Sequence, residues 1–232
     1  MNFTPSNPQK CKVIACATVI EEMLPMMPPG MHYETIGFGL HINPALLKQT
    51  LQEAIYLSEA TADTIILGYG LCSQAVVGLK SEKSVLVIPR VDDCIALFLG
   101  SEKAYREQLR KVPGTYYLSK GWINAGDTPF NEYDRLEQQY GPEKAKEILD
   151  QIFKNYTRLA LINTGQYRLD DYREQTRILA KKFDLRYEEI RGSKEFIRAM
   201  LYGPWDERFL VIPPQKKITF FDFKNDTGMG KQ

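Results

Sequence analysis

The apolar positions of this chain fall into short continuous runs that alternate with longer amphipathic stretches. The runs at residues 65–67 and 85–88 end directly in glycine or proline, as expected of strands buried on both faces of a parallel sheet. The spacing of leucine and alanine over 46–60 predicts a helix that begins at Asn43-Pro44. The same patterns predict further strands at 12–15, 32–39, 115–118, 158–162, 185–190 and 209–212.

This alternation of strands and helices predicts an α/β fold, with a mostly parallel, Rossmann-like layered sheet and helices on both faces. The strand and proline pattern of 209–214 echoes that of 85–89, which hints at two related lobes. We therefore expect one α/β domain at 11–223, between a flexible leader at 1–10 and a flexible tail at 224–232. Within the domain, the two possible lobes are 11–118 and 155–223, and a helical excursion at 121–154 lies between them.

Less regular stretches give weaker patterns. Thr18 is expected to cap a short helix that ends at Met23, and residues 120–123 are expected to form a loop. Residues 216–223 suggest an edge strand. The two helical pieces within 130–154 fit either an ordinary packed hairpin or a lid over the strand ends.

Charge and composition narrow the classes of function. Thirty basic and 29 acidic residues leave a net charge of +1 without a basic stripe, so nucleic acid is not expected as a partner. No apolar run approaches the ~20 residues that span a bilayer, and the N-terminus lacks a signal-peptide core, so we expect a cytoplasmic protein without a membrane partner. Four cysteines in 232 residues do not make a disulfide scaffold.

Three of these cysteines follow predicted strands. Cys16 ends the first strand, Cys72 lies five residues past Leu67, and Cys94 lies six residues past Ile88. Ligands of open α/β sheets bind beyond the carboxyl ends of the strands, so the three thiols are candidate ligands of one zinc ion or iron–sulfur cluster with an open position. In the alternative interpretation, each cysteine is a small buried hydrophobic residue. Cys11 lies at the other end of its strand and is interpreted as structural.

The turn that carries Cys72 has its own candidate chemistry. Gly68, Tyr69 and Gly70 precede a predicted short helix, and backbone N–H groups in such a turn bind anions or cofactors. A thiol at a helix N-terminus is also expected to have a lowered pKa. Tyr69 and Trp122 are candidate pocket walls, although aromatic residues are also common in cores.

Further candidates come from the loops beside the thiols. Arg90 and Asp93 precede Cys94 and are candidate catalytic residues that orient a substrate or the ligands, or else members of a charged turn. His41 follows the second predicted strand and is a candidate fourth metal ligand, with a capping or surface role as the alternative. Glu21 and Glu22 have the same two interpretations as Tyr69 and Trp122, a place in a pocket or an ordinary structural role.

The segments IAC, ILGYGLCS, LVIPRVDDCIALFLGS, GTYYLSKGWI and GPWDERFLVIPP resemble the domain of unknown function 1638 family of anaerobic bacteria and methanogenic archaea. The resemblance runs over about residues 11–214 and implies that Cys16, Cys72 and Cys94 belong to the family's motif. It also implies a role near corrinoid proteins and their methyltransferases. The DxHxxG signature of corrinoid binding does not occur in this chain.

The sequence is compatible with three functions. The first is an enzyme of anaerobic one-carbon or corrinoid-linked methyl metabolism, whose three-thiolate centre acts on a small-molecule substrate. The second is an accessory protein that delivers a metal or cluster to a partner methyltransferase. The third is a small-anion-binding α/β protein with structural cysteines.

Overall fold

The computed structural model describes residues 4, 7–125 and 129–224, which contain eight strands and ten α-helices. The strands are β1 (Cys11–Cys16), β2 (His32–Ile36), β3 (Thr64–Gly68), β4 (Val85–Pro89), β5 (Thr115–Leu118), β6 (Arg158–Asn163), β7 (Arg186–Arg191) and β8 (Phe209–Ile212). The helices are α1 (Ala17–Met23), α2 (Pro44–Ser58), α3 (Ile95–Leu99), α4 (Glu102–Lys111), α5 (Lys120–Ala125), α6 (Pro129–Tyr140), α7 (Pro142–Phe153), α8 (Asp170–Lys182), α9 (Glu195–Tyr202) and α10 (Phe220–Phe223). Much of the predicted leader and residues 225–232 of the predicted tail lie outside the described residues.

The strands form two separate sheets. The first has the order β2-β1-β3-β4-β8, in which only β8 is antiparallel to its neighbour, and the second is the parallel sheet β5-β6-β7. The predicted α/β class with a mostly parallel, layered sheet is confirmed.

The chain divides into two compact units, each with one sheet. The first unit comprises Met1–Cys16, Met26–Cys94 and Ile197–Gln232, and the second comprises Ala17–Pro25 and Ile95–Phe196. These bounds differ from the lobes expected at 11–118 and 155–223, because the C-terminal strand β8 joins the first sheet.

The pairing of β8 gives another explanation for the sequence echo that suggested two related lobes. The echo between 85–89 and 209–214 belongs to two neighbouring strands, since β4 and β8 pair antiparallel with Val87 opposite Val211. Both strands are apolar because they are buried in the same sheet, which explains their similar sequences without an internal repeat.

Helices α2 and α4 begin at side-chain caps, and the sequence predicted the one at Asn43. The Asn43 side chain accepts a hydrogen bond from the Leu46 amide at 3.1 Å, at the start of α2. Ser101 Oγ accepts one from the Ala104 amide at 3.0 Å, at the start of α4.

No helix among the described residues is long and apolar enough to span a membrane.

Three local predictions are wrong. Residues 120–123 lie in helix α5 instead of a loop, because Ser119 Oγ accepts from the Gly121 amide and Trp122 is buried edge-on against Phe98. This packing also makes Trp122 a core residue.

The other two wrong predictions concern the edge strand expected at 216–223 and the helix cap expected at Thr18. Residues 220–223 form α10 in place of an edge strand, because Thr219 and Asp222 make a reciprocal capping box. Thr18 does not cap α1 but lies within it, with its side chain fully buried.

The helical pair α6 and α7 lies in the second unit. Phe153 at the end of α7 packs edge-on against Tyr116 of β5, with ring centroids 5.6 Å apart. α7 also buries Ala145 and Leu149. These contacts are those expected of a packed hairpin.

The outer strand β7 has a different character from the strands of the first sheet. Its sequence RYEEIR has charged side chains at Arg186, Glu188, Glu189 and Arg191, and only Ile190 is buried. Arg173 of α8 forms an ion pair with Glu189 at 2.6 Å, which holds α8 to this strand.

Candidate functional site

The three candidate thiols of the first unit follow three neighbouring strands. β1, β3 and β4 are adjacent and parallel, so Cys16, Cys72 and Cys94 all lie at or beyond the same carboxyl edge. Cys16 is 1% exposed and Cys94 is 8% exposed, whereas Cys72 is partly accessible. None of them forms a disulfide.

Two backbone hydrogen bonds lock the loops that carry Cys72 and Cys94 to each other. The Leu71 amide donates to Val91 O at 2.8 Å, and the Cys72 amide donates to Asp92 O at 3.0 Å. Gly70 permits this approach, because a Cβ atom there would lie 2.6 Å from Val91 O. The role of Gly70 is therefore steric.

The backbone at Cys72 is strained. Its φ angle is +43°, in the left-handed region that side chains other than glycine rarely adopt, and it begins a 3-10 helix of only three residues, Cys72–Gln74. Strain of this kind costs on the order of 1–3 kcal/mol and is often found at functional sites.

The thiols lie within one another's electrostatic reach. Burial raises the pKa of the Cys94 thiol, and the charges of Cys16, Asp93 and Cys72 raise it further. Burial also raises the pKa of Cys72, followed by the charges of Cys16 and Asp93, while a hydrogen bond from the Gly70 backbone lowers it. The predicted lowering of the Cys72 pKa is wrong, because no long helix begins there and burial dominates.

Tyr69 connects the three thiols. Its side chain is 1% exposed, and its hydroxyl has no hydrogen-bond partner among residues 4, 7–125 and 129–224. Burial raises the pKa of this phenol, and the charges of Cys16, Cys72 and Cys94 raise it further. Because Coulombic effects decline with distance, the hydroxyl and the three sulfurs share one neighbourhood.

His41 reaches this neighbourhood through Tyr69. The two rings stack with centroids 5.8 Å apart and an interplanar angle of 27°. Burial lowers the pKa of His41, so its imidazole is more readily neutral, which is the form that binds metals. Its role as a ligand stays a prediction.

The two candidate catalytic residues are placed differently. Asp93 lies close enough to Cys72 and Cys94 to raise the pKa of both thiols. The Arg90 amide donates to Arg208 O at 2.7 Å, which extends the pairing of β4 with β8. Gly68 ends β3 opposite Ala15 in the sheet.

The described part of the chain has no preassembled metal site around these thiols. Across the described ranges of the chain, no group of three or more His, Cys, Asp or Glu side chains is placed to hold a metal ion. The thiols are therefore neighbours, but their sulfur atoms do not already form a coordination shell.

The second unit contains a buried carboxyl group that sequence reasoning left undecided. Glu22 of α1 is 1% exposed, and its Oε2 accepts from Thr164 Oγ1 at 2.8 Å. Burial raises the pKa of Glu22, against opposing effects of Thr164, Ser119, Lys120 and the Gly121 amide. Thr164 directly follows β6, and Ser119 directly follows β5. Both are polar residues just past a strand end, which is the same signal that makes the cysteines candidates.

We expect Glu22→Gln to change how stability depends on pH. Between its ordinary pKa near 4.5 and its raised folded pKa, native Glu22 keeps a proton that the unfolded chain has lost, so wild-type stability falls as pH rises through this window. Glutamine stays neutral at every pH, so the variant does not lose stability in this way. The stability of the variant relative to wild type should rise by about 1.4 kcal/mol per pH unit within the window.

Urea titrations from pH 4 to pH 8 measure this difference. Glu174→Gln, at an exposed position of α8, is the control for loss of a carboxylate and should stay within about 0.5 kcal/mol of wild type. A Glu22→Gln difference that does not change with pH contradicts the raised pKa.

The fold and the strand-end thiols define a layered α/β protein with three neighbouring cysteines at the carboxyl edge of its first sheet. The chain belongs to the family described as "Protein of unknown function (DUF1638)", whose model matches residues 35–201. This confirms the resemblance found in the sequence, over a shorter range that includes Cys72 and Cys94 but not Cys16. No curated protein and no solved structure match the chain.

Proposed function

We propose that the first unit is a metal-binding module in which Cys16, Cys72 and Cys94 hold a zinc ion or an iron–sulfur cluster. The observation that carries this proposal is the convergence of three thiols from adjacent strands around the buried, unpartnered hydroxyl of Tyr69. Three sulfur ligands leave one position open for a small substrate.

The electrostatics of the thiols support a cation. Without one, burial and the mutual effect of the charges raise the pKa values of Cys72 and Cys94, which favours neutral thiols. A bound cation reverses this preference, and metal binding then releases protons. Thiolates are ligands that favour zinc and iron–sulfur clusters over hard cations such as magnesium.

The proposal requires the sulfurs to move. Since no described group of side chains is already placed around a metal position, binding must draw the three sulfurs together. Each cysteine redirects its sulfur by rotation about a single side-chain torsion, and the proposal takes this rotation as the movement that draws the sulfurs together.

The chain's own residues suit a bound substrate. When present, the metal would polarise a substrate atom at the open position. Tyr69 has a raised pKa and remains protonated, so its hydroxyl can donate a hydrogen bond to that substrate. Asp93 adds negative charge beside Cys72 and Cys94, which further favours a cation.

Burial favours a resident metal over delivery to a partner. Cys16 and Cys94 are almost inaccessible, whereas a carrier must expose its ligands to the acceptor. A connection with corrinoid-linked methyl metabolism, with a methyltransferase or with a corrinoid protein stays a prediction.

Metal and acid-labile sulfide analysis after anaerobic purification tests the proposal. We expect about one zinc ion, or iron with sulfide, per wild-type chain, and at least a tenfold lower content in Cys72→Ala, because a two-thiolate site binds far more weakly. Cys11→Ala is the matched control, since Cys11 is buried at the other end of β1 and should leave the content unchanged.

The result also separates the candidate metals. Iron with sulfide indicates a cluster, and zinc alone indicates a mononuclear site. A wild-type chain without stoichiometric metal after anaerobic purification and reconstitution refutes the proposal, as does equal metal content in Cys72→Ala and Cys11→Ala.

A further inference from the structure

A cavity of about 620 Å³ opens in the second unit, past the carboxyl ends of β6 and β7. Thr164 and Gly165 line it after β6, and Arg191, Gly192 and Lys194 line it at the end of β7. Its volume lies in the ~300–1,000 Å³ range of small-molecule sites. The carboxyl edge of a parallel sheet is also where such ligands bind.

The side chain of Glu22 fixes the direction in which the Thr164 hydroxyl donates its hydrogen bond. Thr164 is 4% exposed and donates its only hydroxyl hydrogen to Glu22 Oε2 at 2.8 Å. The Thr164 oxygen therefore has only lone pairs left, so a polar group that approaches it from the cavity must donate the hydrogen bond. The Oε1 atom of Glu22 is buried and has no hydrogen-bond partner among the described residues.

The lining has a surplus of positive charge. Arg191 and Lys194 are exposed and form no ion pair with any residue that the structure describes. The lining carboxylate of Glu189 is already paired with Arg173 at 2.6 Å. Glu195 is then the only other carboxylate among the lining residues, against two cations.

We propose that this cavity binds a small organic anion that carries a hydroxyl group. Arg191 and Lys194 bind the anionic group, and the Thr164 oxygen accepts a hydrogen bond from the ligand's hydroxyl. Glu22 acts as a positioning residue that keeps Thr164 in its accepting orientation. The inference is independent of the proposed metal centre, since none of the cysteines takes part.

Calorimetric titration of the full chain with two matched pairs of anions tests this site. Glycerol 3-phosphate is compared with propyl phosphate, and lactate with propionate, so that each pair shares its anionic group and differs in hydroxyl groups. We expect the hydroxylated member of at least one pair to bind about tenfold tighter than its partner, because the deoxy compound leaves the Thr164 oxygen unpaired.

Variants assign the contributions to named residues. Thr164→Val should remove the preference for the hydroxylated member, whereas Thr164→Ser keeps the hydroxyl and should retain it. Arg191→Met and Lys194→Met should each weaken both members of the pair by about tenfold, as expected for loss of a charge-assisted contact. Lys181→Met, an exposed charge of α8 outside the cavity lining, should change neither.

The proposal is wrong if neither hydroxylated anion binds wild type, or if both bind no better than their deoxy analogues. Binding that Arg191→Met and Lys194→Met leave unchanged also refutes it. If Thr164→Val does not fold, the Thr164→Ser variant decides instead, and loss of the hydroxyl preference in that variant counts against the assigned role of Thr164.

Discussion

Arg158→Ala is expected to lower the free energy of unfolding by about 2–5 kcal/mol, the range found when a large buried side chain is truncated to alanine. The guanidinium of Arg158 is 2% exposed and lies inside the second unit. Its Nε donates to Thr115 Oγ1 at 2.8 Å, Nη1 donates to Glu188 Oε2 at 3.0 Å, and Nη2 donates to Gln108 Oε1 at 3.0 Å. Truncation loses these contacts and leaves a cavity under β5 and β6.

Chemical denaturation followed by circular dichroism measures this loss, and Arg186→Ala is a closely matched control. Arg186 also pairs with Glu188 Oε2, at 3.2 Å, but its side chain is 63% exposed. Solvated pairs contribute about 0–1 kcal/mol, so this control should change stability little. Equal losses in the two variants contradict a structural role that depends on burial.

Gly70→Ala is the second substitution from which we expect a large effect. The new Cβ atom would lie 2.6 Å from Val91 O and 2.8 Å from a methyl group of Val91, so the two loops must separate. That separation breaks the hydrogen bonds of the Leu71 and Cys72 amides. Two hydrogen bonds and an overpacked contact together give a loss of about 2–4 kcal/mol, and we also expect metal content to fall at least tenfold.

Gly37→Ala is the control for this substitution, because a Cβ atom at Gly37 meets nothing within 4 Å. Its φ angle of −59° suits alanine as well. Thermal unfolding and metal analysis of both variants measure the two effects. A Gly70→Ala chain that keeps wild-type stability and metal content shows that the joined loops do not position Cys72.

The sequence predicted the strands of both sheets well, because most of them are continuous or alternating apolar runs bounded by turn residues. β5 was predicted with its observed bounds, and helix α2 begins at its predicted cap, Asn43. Local patterns do not encode strand partners, however. The position of β8 beside β4 depends on long-range packing, so residues 209–214 were assigned to a second lobe.

The candidate site was predicted in part. Cys16, Cys72 and Cys94 lie past neighbouring strands because β1, β3 and β4 are adjacent in the sheet. The alternation of strands and helices along the sequence favours such an order but does not determine it. The pKa of Cys72 was predicted in the wrong direction, because burial is a property of the folded chain and outweighs a three-residue 3-10 helix. The pairing of Thr164 with Glu22 joins residues 142 positions apart, and no local pattern reveals it.

The charged strand β7 has a consequence for association between copies of the protein. As the outer strand of its sheet, β7 offers unpaired backbone groups that another strand can extend. Symmetric antiparallel pairing of two copies would set Arg186 against Arg191 and Glu188 against Glu189, because RYEEIR is nearly palindromic in charge. Like charges that face each other across a strand pair are unfavourable, so this edge discourages aggregation during folding and at high concentration.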